Sequence, residues 1–218
     1  LRKIKLLAEA KDRSLVRSAL ASYLGQEMKI PMYRAGFALL YINGACIGIY
    51  IMAEQENSDF LTCRFGTSGG TLYNTRKVTR WPSWPPRGGM GTLEEASLLL
   101  RPKNDYDSYG RGLVYELDRD RARAGYAPLS NFIAFLNLAS TSQFVAEIEQ
   151  RFNVEGLLRY QAIEILIGNG DGYWFAGNNY YLYDDPVARR IEFFARDMSN
   201  SLGIDELGKR TIKATKQF

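Results

Sequence analysis

The sequence contains no histidine. That removes Ser-His-Asp and Cys-His catalysis, His-ligated zinc and imidazole general-base chemistry together. Cysteine is scarce: Cys46 and Cys63 fit no metal-motif spacing, and they read as buried thiols or as one disulfide. No apolar run approaches the roughly 20 residues that cross a bilayer as a helix. A dense basic stripe is missing too. The net charge of +4 comes from scattered residues such as Lys3, Arg76, Arg80 and Arg121, mostly a solvated face, so no nucleic-acid partner is expected. The opening Leu1-Arg2-Lys3-Ile4-Lys5 is not a signal peptide. The chain reads as a partial domain, and its want of a targeting signal argues for no compartment.

What is present is a foldable composition, 46% hydrophobic and 13% aromatic over 218 residues, enough for one domain or two small lobes. The periodicity predicts an α+β chain. A strand over residues 3–9 leads into a helix capped by Asp12 or Ser14 and running to about residue 24, with Leu15, Ala19 and Leu20 on its buried stripe. Residues 37–42 and 47–52 form a β-hairpin around Asn43-Gly44. Asn57 or Ser58 caps a short helix through Phe60, Leu61 and Cys63. Residues 66–92 are the least regular zone, and Trp81-Pro82-Ser83-Trp84-Pro85-Pro86 reads as an extended surface loop, a lid or docking loop or a variable insertion. Strands follow near 96–101 and 113–117. Helices open at Pro128-Leu129, after Ser140 to Ser142, and at Asn153, the last running over 154–167.

Residues 169–203 hold the chemistry. Asp171 sits in a glycine-flanked loop after the apolar run Ile163, Ile165, Leu166, Ile167; Asn178 and Asn179 precede an aromatic strand, Tyr180 to Tyr183. A turn at Asp184-Asp185-Pro186 returns the chain along a strand over 191–195 that ends on Arg196 and Asp197. Phosphoryl transfer needs this inventory: one carboxylate to orient the attacking hydroxyl, and an amide plus a second carboxylate to hold Mg²⁺ on the phosphates. Adjacent asparagines also serve as plain turn residues. Asp171 and Asn179 lie eight positions apart, whereas ordinary protein kinases place the two five apart.

Three segments resemble the CotH family of atypical protein kinases, the spore coat protein H-like kinases. They are D-G-Y-W-F-x-G-N-N-Y-Y-L-Y with F-F-x-x-D-M-x-x-S-L-G, the hairpin L-Y-I-N-G-x-x-x-G-I-Y-I-M-x-E-Q, and the opening K-L-x-A-E-x-x-D-x-S-L-V-R-S-A-L. The resemblance implies an atypical protein-kinase-like fold: N-terminal strands, a hairpin and a helix, then a mostly helical part with a terminal β-hairpin carrying the site. It implies a single domain over 1–218, with an N-lobe-like 1–117 and a C-lobe-like 118–218. It further implies ATP with Mg²⁺ or Mn²⁺, and a Ser/Thr-rich protein substrate that is extracellular, in the spore coat or in the envelope. Asp171 is then the catalytic carboxylate, and Asn179 and Asp197 the metal ligands. Lys5 and Arg17 are candidates for the phosphates, since kinases present a phosphate-binding lysine on a strand; both also read as solvated surface cations. Glu54 is a partner for that lysine or for a metal, or a strand-end surface acid.

The chain departs from the family pattern at three positions. Asn74 stands where a lysine is usual, Arg196 where an aromatic is usual, and Ser199 where a second acid is usual. A hydroxyl brings no negative charge to a divalent cation, with Asn200 as a possible substitute oxygen donor. A binding or adhesion protein of the same fold is therefore the alternative.

Overall fold

The computed structural model describes residues 4–75 and 115–203. The expected strand near 96–101, the Trp/Pro segment and residues 204–218 lie outside them. Strand β1 (Lys5–Leu7), strand β2 (Ala35–Ile42) and strand β3 (Ala45–Ala53) form an antiparallel sheet in the order β1-β3-β2. Asn43 and Gly44 both take positive φ, 51° and 83°, the requirement of the two-residue turn that matches strand twist. Between β1 and β2 runs helix α1 (Arg17–Glu27). Its cap comes from upstream: the Asp12 carboxylate accepts the N–H groups of Val16 and Arg17, each at 3.0 Å.

The face that α1 buries differs from the expected stripe of Leu15, Ala19 and Leu20. Ser18, Ala21, Ser22 and Gly25 are buried, and Leu20 is exposed. Small residues face inward because the 30–33 segment comes close. The Ser22 hydroxyl donates to the Tyr33 carbonyl, and a Cβ on Gly25 would lie 2.5 Å from Met32 Cγ.

Helix α2 (Ser58–Phe65) starts where expected, with Asn57 Oδ1 accepting from Asp59 N at 2.8 Å and Phe60 N at 3.1 Å. Next comes a strand inside the zone expected to be irregular: β4 (Thr71–Thr75), buried along its whole length. It pairs with β5 (Tyr115–Asp120) on one side and β6 (Tyr180–Asp185) on the other, and β7 (Arg190–Ala195) completes a four-stranded antiparallel sheet. The terminal hairpin is thus half of a larger sheet, whose strands come from either side of residue 117.

Both faces of that sheet are covered. Tyr73, Leu182 and Phe193 are cross-strand neighbours on one face, in one core with Tyr160, Ile163 and Ile167 of α5 (Val154–Ile167) and with Leu129, Phe132 and Ile133 of α3 (Ala127–Leu138). On the other, Tyr181 and Phe194 pack with Phe60 and Leu61 of α2. Burial on two faces is why Tyr180 to Tyr183 show no polar alternation. Helix α4 (Thr141–Arg151) is capped by Ser140 and α5 by Asn153, whose Oδ1 accepts from Gly156 N at 2.9 Å.

Candidate active site

Helix α5 ends on Gly168 in the left-handed conformation, and the chain turns into the loop that carries Asp171. That loop is fastened to a second one, residues 197–202, by Gly170 N to the Asn200 carbonyl (3.1 Å) and Leu202 N to the Ile167 carbonyl (2.6 Å). A single helical turn, α6 (Tyr173–Ala176), follows. The Asp171 carboxylate faces three amides. Asn178 Nδ2 donates to Oδ1 at 3.2 Å; Asn179 and Asn200 donate to Oδ2 at 2.9 and 3.2 Å. Asn179 also holds the Asp171 carbonyl (2.9 Å). It does so from a left-handed backbone, φ 57°, which asparagine tolerates better than most residues.

Asp197 stands at the same end of the sheet. The Arg196 N–H bonds the Asn179 carbonyl at 2.8 Å, so Asp197 follows directly on the pairing that fixes Asn179. One of its carboxylate oxygens accepts from Ser199 N at 2.8 Å. Residues 9–18 lie against the 197–202 loop. Lys11 Nζ donates to Asn200 Oδ1 at 3.3 Å, so one amide joins a lysine to Asp171. Arg17 bonds the Leu202 carbonyl and pairs with Asp12 at 3.0 Å. Burial alone would raise the Asp12 carboxyl, but hydrogen bonds from Ser14 and Arg17 bring it down to about 2. Glu9 goes the other way, raised mainly by burial and further by the charges of Asp12 and Asp197.

Lys5 is ion-paired, but with Glu56 at 3.1 Å. Its ammonium lies 5.1 Å from the ring centre of Tyr33, whose hydroxyl is pushed well up by burial and by the charges of Asp197, Glu56 and Glu9. Burial raises Glu56 against the pull of Lys5. Glu54, the acid expected to partner the lysine, instead holds Arg34 at 2.7 Å and Arg64 at 2.9 Å. The reason is register: Lys5 is opposite Ala53, and past the strand end Glu54 pairs with Arg34, just before β2, and with Arg64 of α2. Arg17 has its guanidinium committed to Asp12 and Leu202. Of the expected residues, Asn179 bonds Asp171, Asp197 follows the residue paired with Asn179, Lys5 pairs with Glu56 beside the Tyr33 ring, and Glu54 is held by Arg34 and Arg64.

Can this group hold a divalent cation? Among the described residues no three His, Cys, Asp or Glu side chains are arranged as a metal cluster. Asp197 would offer a carboxylate and Asn179 its amide oxygen, with the Asp171 carboxylate held by Asn179. Asn178, whose Nδ2 donates to Asp171, has its Oδ1 buried without a hydrogen-bond partner. Buried polar atoms left unpaired are costly, and an oxygen set of this kind fits Mg²⁺, which binds through one or two carboxylates with phosphates and water.

Sequence reasoning missed Lys11, Glu56 and Glu164. Lys11 gave no signal, one charge among several in a polar loop. Glu56 sits two residues past the acid that was chosen. Glu164 did give one: it falls with Tyr160, Ile163 and Ile167 on the buried stripe of α5, an acid where periodicity calls for an apolar residue. Ile165 and Leu166, read as part of the apolar run, are exposed.

The family described as CotH kinase protein matches residues 1–217. The chain is also similar to "Inner spore coat protein H" of Bacillus subtilis (strain 168), 26% identical over 209 residues. That match covers 96% of this chain and 52% of the relative, so the chain spans about half the relative's length.

Proposed function

The chain belongs to the CotH kinase protein family, and from that premise we propose that it is an ATP- and Mg²⁺-dependent protein kinase acting on Ser or Thr of spore-coat or other surface proteins. The observation that carries this reading is the Asp171 carboxylate, oriented by three amides, one of them Asn179, whose carbonyl pairs with the residue before Asp197. Asp171 accepts the hydrogen bond of the incoming hydroxyl and takes its proton as the hydroxyl attacks. Asn178, Asn179 and Asn200 keep that carboxylate from rotating. Asn179 through its remaining oxygen and Asp197 hold the metal, which when bound neutralises charge on the nucleotide phosphates. Lys5, steadied by Glu56, and Lys11, tied to Asn200, are the cations for those phosphates. The chain is read as one kinase-like domain, N-lobe-like over 1–117 and C-lobe-like over 118–218. The name of the relative supports a place in the spore coat, and among the described residues no helix is long and apolar enough to cross a membrane.

A second reading, a coat or surface protein that acts by binding, is favoured by Ser199. Its backbone N–H caps Asp197, and its side chain adds no charge beside that carboxylate. Thermal unfolding with ATP and Mg²⁺ or Mn²⁺ separates the two. At ~100 times Kd, ATP should stabilise the chain by about 2.7 kcal/mol. Asp197→Ala should erase the shift and Ser199→Asp enlarge it. Wild type and Ser199→Asp both indifferent to ATP with either metal would leave the binding protein as the answer.

A further inference from the structure

Beneath the Asp171 loop lies an acid that the proposed chemistry does not use. Glu164 has no solvent exposure, and every hydrogen bond to its carboxylate comes from a neutral donor. The Tyr160 hydroxyl (2.5 Å) and Asn169 Nδ2 (2.9 Å) donate to Oε1, and Trp174 N to Oε2 at 3.1 Å. Tyr160 belongs to the same helix, but Asn169 and Trp174 bracket Asp171. Between them Gly172 presses onto the carboxylate: a Cβ there would lie 1.5 Å from Oε1 and 2.6 Å from Asn169 Nδ2. Only a residue without a side chain lets the backbone pass.

We propose that Glu164 is a positioning residue, whose carboxylate gathers Asn169, Gly172 and the start of α6 and so sets the direction in which Asp171 faces. The proposal rests on the reading of Asp171 as the group that orients the acceptor hydroxyl. A purely structural role is the weaker explanation. Leucine at 164 would continue the stripe of Tyr160, Ile163 and Ile167 without burying a charge, whereas an acid there must be compensated. Its compensation comes largely from the loop that delivers Asp171, because Asn169 and Trp174 lie two and three residues from it. Among the described residues the titratable side chain bonded to Glu164 is Tyr160 on its own helix, while Tyr173 of α6 offers its backbone N–H and the charge of Asp171 acts on Tyr160. Burial, partly offset by those hydrogen bonds, pushes Glu164 up to about 7.

The test uses the full chain with Mg²⁺-ATP and a generic Ser-rich protein, comparing wild type, Glu164→Gln and Gly172→Ala. Gly172→Ala keeps the acid and drives the loop off it, so it reports on positioning even where the glutamine variant folds poorly. Both should lose kcat about 10²-fold, the scale of a small misplacement, with KM for ATP within about twofold of wild type. Trp174 emission, read in a background with Trp81→Phe and Trp84→Phe, should step near pH 7 in wild type and stay flat in Glu164→Gln. Folded variants that keep wild-type kcat, or a pH step that survives in Glu164→Gln, overturn the proposal. A wild type without phosphate transfer sinks the kinase reading alone, and the emission step then still decides whether Glu164 governs the loop.

Discussion

Glu56 and Glu164 are both buried glutamates, and they are stabilised by opposite means. Glu56 has a cation: Lys5 sits 3.1 Å away, and Arg196 adds a weaker pull. Glu164 has hydroxyl, amide and backbone donors and, among the described residues, no cation bonded to it. The Asp171 carboxylate likewise accepts from amides, those of Asn178, Asn179 and Asn200. The molecule thus has an ion-paired region, from Lys5 and Glu56 to Arg17 and Asp12, and an amide-lined region under and around Asp171. An ion pair fixes charge but leaves direction loose, whereas several short hydrogen bonds fix direction. The ion-paired region suits holding a charged ligand; the amide-lined one suits aiming a single oxygen.

The comparison breaks first at Asp171. Asp171→Asn preserves shape and should reduce phosphate transfer by ~10² or more while ATP binding survives. Side-by-side transfer and ATP-binding measurements check it, and loss of binding instead of transfer would assign the amide-lined region to ligand holding. The next largest effect is on stability. Lys5→Met strands Glu56 in the interior and should cost about 3 kcal/mol in urea unfolding, most of it regained in Lys5→Met with Glu56→Leu. Equal losses in the single and double variants would show that the pair does not act as one unit.

The last prediction sharpens the contrast through pH. Unfolded, Glu164 loses its proton near the ordinary 4.5; folded, it keeps it to about 7. Between those values the folded chain holds one more proton than the unfolded one. Its stabilising contribution is therefore complete below about 4.5 and lost as pH rises through 7, a fall of about 3 kcal/mol. Unfolding curves for wild type minus Glu164→Gln across pH 4–8 isolate this term. A flat difference would mean that the acid is ionised in the fold throughout.

How much of this was legible beforehand follows from range. The Asn43-Gly44 hairpin and the start of the helix at Asn153 are encoded within a few residues, and the caps Asn57 and Ser140 are each one of the alternatives that the local pattern offers. Strand β4 was not, because Thr71 to Thr75 is short, buried throughout and defined by partners far along the chain. The stripe of α1 was misplaced since hydrophobicity ranks Leu20 above Ser22, yet close approach of the 30–33 segment selects for size. At the site, Asp171, Asn179 and Asp197 were legible as a motif. The hydrogen bonds that aim them were not, since Lys11 meets Asn200 only across the fold.

The place of β4 in the sheet also bears on how the molecule assembles. Thr75 Oγ1 donates to the Tyr180 carbonyl across 105 positions of sequence, and the Tyr115 and Tyr180 hydroxyls meet across 65. Strands β6 and β7 are joined by a short turn and can pair early, whereas β4 must close a loop of over a hundred residues before it gains any contact with β6. Until it does, Tyr181, Leu182 and the residues that follow have one unpaired edge. The Asp171 loop feeds straight into that edge, so the site is completed only when the slowest pairing in the sheet has formed. Maturation of the site and closure of the sheet are then the same kinetic event.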